Sequence, residues 1–414
     1  MGKDFYEIGE IPELGVVPKY MLASCLRRER YGKPINALKT EKVPVPTSLK
    51  PDEVLVYVMA AGVNYNVIWA SNSYPIDVLK AANARGETFD YFIPGSDASG
   101  VVWKVGTDVE NVKVGDHVIL HGGRWNVDAA DVKKGEDPTF SASYHMWGYE
   151  TNHGALAQYT KVMSHQCLLK PKDLPWSKAG CFMVGAAAAY RMLHGWEPHT
   201  LNADDPVLVW GGSGGLGGFG IQLCKLAGAR AVAVVSSEDK KDYCKKLGAV
   251  GVINRKDFDH WGRMPETDDT KNYRKWLIGV KKFRRAFWEA IGEKVDPIVV
   301  FEHPGEDTIP TSVTMAARGG MIVFCAATSG FYSNFDLRYQ WVHQKRLQGT
   351  HFANTEQCQE VVNLVGDGEI DPCLTKVFGF EETAQAHQLM ADGNNYFGNM
   401  GILVNAATAE QVSL

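Results

Sequence analysis

From Val207 to Lys241 the chain reads VLVWGGSGGLGGFGIQLCKLAGARAVAVVSSEDKK: an apolar strand, a glycine-dense turn, a helix and a second strand. Turns of this kind bring backbone N–H groups and a helix N-terminus against a pyrophosphate, a close approach that side chains would block. Gly212, Gly215 and Gly217 fit that use, and Gly211, Gly214 and Gly217 fit the alternative spacing equally well. The expected phosphate-binding residues are therefore Gly212, Gly214, Gly215, Leu216 and Gly217. A dinucleotide whose ribose carries a free 2′-hydroxyl is usually met by Asp or Glu after the second strand. Here Val235 is followed by Ser236 and Ser237, then Lys240 and Lys241. Hydroxyls and cations suit a 2′-phosphate, so this pattern favours NADPH over NADH.

Elements that would hold such a site can be read along the chain. From about Asp52 to Leu120, short β-type runs (EVLVYVMAAGV, SGVVWKVG, GDHVIL) alternate with Gly, Asp and Asn turns, which predicts a small β-barrel-like domain. Residues 121–140 are polar and read as an exposed insertion. AAAAYRML predicts a helix leading into a second domain, where VLVWG, AVAVVS, GVIN, PIVVFEHPG, GGMIVFCAATSG and RLQGTHFAN alternate with helices. That alternation predicts an α/β doubly wound parallel sheet. Between Phe258 and Glu293 the front reads as a surface insertion and the tail as an amphipathic helix. The final VFGFEETAQAHQLMADGNNYFGNMGILVN reads as strand, helix, strand rejoining the first domain. The expected boundaries are 1–180 with 371–414 for the β-rich domain, and 181–370 for the nucleotide domain.

Composition narrows the class. The chain has 414 residues, 45% of them hydrophobic, enough for two substantial cores. A net charge of −5 gives no reason to expect nucleic acid or an anionic membrane as partner. No apolar run is long enough to span a bilayer and the first ten residues are not signal-like, so a cytoplasmic location is expected. Eight scattered cysteines without a CxxC read as reduced thiols.

Taken together, GSDASGVVWKVG, GDHV, GGSGGLG, KKLGAVGVIN and the C-terminal return resemble the medium-chain dehydrogenase/reductase superfamily over nearly the whole chain. The resemblance implies a GroES-like β-rich catalytic domain and a Rossmann domain binding a nicotinamide dinucleotide. Many members hold catalytic zinc partly through a GHE segment. The matching residues here are Gly95, Ser96 and Asp97, and the four-cysteine structural zinc lobe is also missing, so no metal is expected.

A narrower resemblance is to crotonyl-CoA carboxylase/reductases and their non-carboxylating relatives. It is carried by GVNYNVIW, IPGSDASGVV, WGYETNHG, GVINRKDFDHWGR, VVFEHPG, LRYQW and KRLQGTHFAN. The resemblance implies NADPH-dependent reduction of a short-chain 2-enoyl-CoA, such as crotonyl-CoA or acrylyl-CoA, with CO2 captured by the resulting enolate. The family's CO2 pocket falls by motif on Asn66, Tyr149, Glu150 and His351; His145 and His153 lie off the pattern. Tyr149 stands where carboxylases of this group usually carry Phe, and its hydroxyl could bind CO2, anchor water or protonate the enolate. A non-carboxylating enoyl-CoA reductase, and a non-catalytic NADPH-binding protein, therefore remain as alternatives. CoA carries phosphates and an adenine, and Arg338, Tyr339, Lys345 and Arg346 offer cations and an aromatic ring for them, unless they form only a basic exposed helix. By analogy with the superfamily a homodimer or homotetramer is expected.

Overall fold

The computed structural model describes residues 2–87, 89–393 and 397–414. The chain forms two compact units, one of residues 1–184 and 353–414, the other of residues 185–352.

The first unit is built around the strand Glu53–Gly62, buried along its whole length. It pairs antiparallel with Ala98–Val105, Tyr159–Met163 and Asn399–Leu403, so neighbours cover its backbone and no polar face is needed. The sheet continues through His117–Leu120 to Cys167–Leu169 on one side and to Leu374–Gly379 on the other. Tyr57, Trp103, Tyr159 and Trp176 fill its core, with the Tyr57 and Trp103 rings 4.8 Å apart. Gly100 is required where the strands meet, since a Cβ there would lie 2.3 Å from Tyr57 O. The C-terminal strand, helix and strand are Leu374–Gly379, Thr383–Ala391 and Asn399–Leu403, as the pattern predicts.

The second unit holds a six-stranded parallel sheet in the order Gly251–Asn254, Arg230–Val235, Pro206–Trp210, Val299–Glu302, Met321–Phe324, Arg346–Gly349. Strand order reverses beside Pro206–Trp210, the position where doubly wound sheets bind nucleotides. A 22-residue helix, Thr270–Ile291, lays Trp276, Val280, Phe283, Phe287 and Ile291 on the sheet.

Three sequence expectations need adjusting. The stretch before that helix is not simply a surface insertion: Met264 and His260 are buried, and Trp261 packs on the core. Residues 121–140 are exposed only from Asn126 onward, because His121 and Trp125 are buried, with Trp125 stacked on His165 at 3.9 Å. The boundaries expected at 180 and 370 differ from the division after 184 and 352. The helix Thr355–Gly366 lies in the first unit, where Thr355 Oγ1 is 3.3 Å from His121 Nε2.

Candidate active site

In the second unit the nucleotide turn joins the strand Pro206–Trp210 to the helix Gly215–Leu226, whose N-cap is Gly214. Gly211 has φ +60°, and a Cβ there would meet His303 Nε2 at 2.4 Å. At Gly212 a Cβ would meet Ala233 Cβ at 2.7 Å, and at Gly217 it would meet Gly211 O at 2.4 Å. At Gly214 the nearest atom would be Gly211 O at 3.5 Å, so the fold itself tolerates a side chain there. Gly211, Gly212 and Gly217 thus shape the turn, whereas Gly214 is spared for whatever approaches the helix N-terminus. Gly215 and Leu216 form the first turn of the helix. A pyrophosphate fits this cradle of free N–H groups and absent side chains.

The strand Arg230–Val235 delivers Ser236, Ser237 and the two lysines, which differ in employment. Lys240 Nζ sits 3.1 Å from Ser236 Oγ. Lys241 Nζ is paired with Glu238 at 2.8 Å. A cation and a hydroxyl side by side suit a phosphate monoester, while the charge of Lys241 is already matched. Sequence reasoning did not single out the support behind the turn. His303 Nε2 donates to Trp210 O at 3.1 Å, and burial lowers the imidazole to about 4, keeping it neutral. Next to it the buried Glu302 accepts from Thr308 Oγ1 (2.7 Å), Ser312 Oγ (2.6 Å) and Gly305 N–H (3.1 Å), and burial pushes its carboxyl up to about 7. Ser312 in turn accepts from Trp210 Nε1 at 2.9 Å, so both strand ends at the reversal are tied together.

In the first unit, Asn66 occupies the first turn of the helix Tyr65–Asn72. Its Nδ2 donates to Ser96 Oγ at 2.7 Å, and Ser96 Oγ donates to Trp147 O at 2.6 Å. Asn66 Oδ1 is buried without a hydrogen-bond partner. The neighbouring Asp97 grips the same helix from outside: it accepts from Asn64 Nδ2 at 2.9 Å and from Val184 N–H at 2.7 Å. Complete burial pushes the Asp97 carboxyl up to about 7. The segment Trp147–Gly154 lies directly on Pro94–Gly95, since a Cβ at Gly148 would fall 1.9 Å from Gly95 O and one at Gly154 2.5 Å from the Pro94 carbonyl. Asn66, Tyr149 and Glu150 are thereby held by one assembly. Tyr149 is buried near Trp69, ring centroids 6.3 Å apart, and burial pushes its phenol up to about 12. Glu150 Oε2 accepts from Met146 N–H at 2.6 Å, which closes the loop and fixes the carboxylate. The His153 carbonyl accepts from Trp147 Nε1 at 2.8 Å, and the residue also lines a cavity of about 990 Å³ with Thr151, Asn152, Arg124 and His145. Among the described residues no three His, Cys, Asp or Glu side chains are grouped as a metal would require.

His351 belongs to the second unit and follows the strand Arg346–Gly349; it is exposed. The expected CoA-binding residues are largely occupied. Lys345 is buried, not a surface cation: its Nζ donates to Val313 O at 2.7 Å at the end of the helix Ile309–Met315. Burial lowers that ammonium to about 8. Arg346 donates to the Trp196 and Glu197 carbonyls, both at 3.1 Å. Arg338 is clamped on Asp336 at 2.6 Å, and Tyr339 packs on the core. Spacing alone could not separate a cation turned outward from one that caps carbonyls. Ser96, which replaces a zinc-ligating histidine in the sequence pattern, has a hydrogen-bonding role that only its contacts with Asn66 and Trp147 reveal.

Two family models match: the alcohol dehydrogenase GroES-like domain over residues 50–172 and the zinc-binding dehydrogenase over residues 215–367. The chain is 48% identical to crotonyl-CoA carboxylase/reductase of Cereibacter sphaeroides, covering 98% of this chain and 92% of that one. It superposes on the solved structure of crotonyl-CoA carboxylase/reductase AntE in complex with NADP with a TM-score of 0.94 and 50% identity, covering 98% of this chain and all of that one. For 2-octenoyl-CoA carboxylase reductase CinF in complex with NADP and 2-octenoyl-CoA the TM-score is 0.86 and the identity 34%, over 95% of this chain and 89% of that one.

Proposed function

Because the chain belongs to the crotonyl-CoA carboxylase/reductase family of medium-chain dehydrogenases, we infer that it reductively carboxylates a short-chain 2-enoyl-CoA with NADPH and CO2. NADPH, when bound, supplies a hydride to the β-carbon of the enoyl thioester. The alkene π pair then moves toward the thioester as an enolate, and the α-carbon attacks CO2, whose displaced π pair becomes a carboxylate oxygen. Water must be kept from the α-carbon, or protonation gives the plain saturated acyl-CoA.

The residues support this division of labour. Gly211 to Gly217 would take the pyrophosphate, and Ser236 with Lys240 the 2′-phosphate. One observation carries the carboxylating half: the half-buried Asn66 carboxamide, fixed on one side, retains a buried, unpartnered Oδ1 and a second N–H beside the loop of Tyr149 and Glu150. An N–H donor to a CO2 oxygen and a carbonyl oxygen facing the CO2 carbon are complementary to that molecule's charge distribution. Glu150, with Oε2 held by Met146 N–H, would order water at its other oxygen. For His351 only the family motif assigns a donor's role. Tyr149 keeps its proton at neutral pH and is read as a hydrogen-bond donor lining the pocket. The test is incubation with NADPH, crotonyl-CoA or acrylyl-CoA and labelled bicarbonate, with products separated by mass. Labelled alkylmalonyl-CoA is expected; saturated acyl-CoA alone would favour the simple reductase.

We further propose that the enzyme works as a cytoplasmic homo-oligomer joined at the edge of the six-stranded sheet. Among the described residues the strand Arg346–Gly349 has no partner on its outer side. Leu337 (65% exposed), Trp341 (68%) and Val342 (52%) lie just before it in the chain. Open edges and apolar patches of this kind are usually covered.

A further inference from the structure

Two constraints fix the Asn66 amide. Ser96 has a single hydroxyl proton, and Trp147 O, 2.6 Å away, is a carbonyl that only accepts. The proton is therefore spent there, and Ser96 Oγ has only lone pairs left for Asn66. The Asn66 atom at 2.7 Å must then be Nδ2, and the choice between the two amide orientations is made by Ser96. What remains of the carboxamide is one N–H and the buried, unpartnered Oδ1. A buried acceptor left without a partner is uncommon in native proteins and points to a ligand.

We propose that Ser96 is a positioning residue for CO2 capture, bridging Asn66 to the Trp147 carbonyl so that the amide and the Tyr149–Glu150 loop are held in one fixed relation. This rests on the carboxylating reading given above. The bridge is rigid on all sides. Ser96 is fully buried, Trp147 N–H donates to Gly122 O at 2.8 Å, and Gly95 N–H donates to Gly148 O at 3.0 Å. Asp97 anchors Asn64, two residues before Asn66, so adjacent residues of one loop grip the N-cap and the second residue of the helix. The position that supplies a zinc-ligating histidine in other members of the superfamily is thus employed here as a hydrogen-bond relay.

Ser96→Ala should lose the relay with little change of volume. With NADPH, crotonyl-CoA and labelled bicarbonate, the ratio of carboxylated to saturated product should fall about five- to tenfold, the size of one lost hydrogen bond. Half-saturating bicarbonate should rise by a similar factor, while half-saturating NADPH should not move. Ser96→Ala should lower the ratio less in the Asn66→Ala background than in the wild-type enzyme, because the part of its effect that passes through Asn66 is already lost there. Ser96→Cys, nearly isosteric but a poor donor, should behave as Ser96→Ala and serves in its place if that variant does not fold. An unchanged ratio in either single variant, or an effect of Ser96→Ala as large in the Asn66→Ala background as alone, overturns the proposal while leaving the carboxylase reading intact. Saturated product alone from the wild-type enzyme would instead remove that reading, and this proposal with it.

Discussion

Lys240 and Lys241 are neighbours in sequence, yet only one has its charge free for a ligand. Lys240 rests on the Ser236 hydroxyl, whereas Lys241 is matched by Glu238. Lys240→Ala should therefore cut the preference for NADPH over NADH by about tenfold or more, the worth of a charge-assisted hydrogen bond, and Lys241→Ala by much less. Catalytic efficiency with both coenzymes measures this, and equal effects of the two substitutions would refute it. At Tyr149 the ordinary acidity of a phenol is suppressed by burial, which raises it to about 12. The phenol is therefore neutral and protonated at neutral pH, able to donate a hydrogen bond and still acidic enough to protonate an enolate. Tyr149→Phe is expected to lower the carboxylated fraction if the hydroxyl contacts CO2; a rise would show that it was instead admitting protons or water.

At the scale of elements, the nucleotide turn separates fold from binding. Gly217 is pressed against Gly211 O, so Gly217→Ala should destabilise the second unit by about 1–3 kcal/mol, as overpacking does. Gly214 has room for a methyl group, and Gly214→Ala should cost at most about 1 kcal/mol of helix capping while weakening NADPH binding. Denaturation midpoints with and without NADPH distinguish the two; a stable Gly217→Ala protein would mean that the turn relaxes easily. The helix Tyr65–Asn72 shows a related economy. Its N-terminus carries no side-chain cap, and Asn64 is turned instead toward Asp97, placing the helix against the assembly that holds Asn66.

Across the whole molecule, burial of histidines sets a pH window. His121, His153, His260, His303 and His387 are each lowered to about 4 by desolvation. On unfolding they return toward about 6.5 and take up protons between those values, so stability is lost as pH falls from about 6.5 to 4. Asp97 and Glu302, raised to about 7, act oppositely: they release protons on unfolding in nearly the same range. Five groups outweigh two, and the melting temperature should drop by several degrees between pH 6.5 and pH 5; a flat or rising profile in calorimetry would contradict this. Assembly offers a second test at this scale. Trp341→Glu combined with Leu347→Lys should convert an oligomer to a smaller species in light scattering, whereas unchanged mass would place the interface elsewhere.

The chemistry of the nucleotide half was legible in the sequence because it depends on local rules. Glycines after an apolar strand, and serines with a lysine in place of an acid, act through backbone and side chains within one βαβ unit. The doubly wound sheet and the C-terminal return were legible for the same reason, since periodicity and turn residues fix them locally. What the sequence left open was decided by contacts between distant segments. Ser96 gains its role only when Asn66 and Trp147 are brought to it. Lys345 and Arg346 become structural only because a helix end and the Trp196–Glu197 carbonyls lie within reach. A cation's sequence neighbours do not reveal whether water or a carbonyl will satisfy it; burial by the tertiary fold makes that choice, because a buried ammonium or guanidinium must find acceptors.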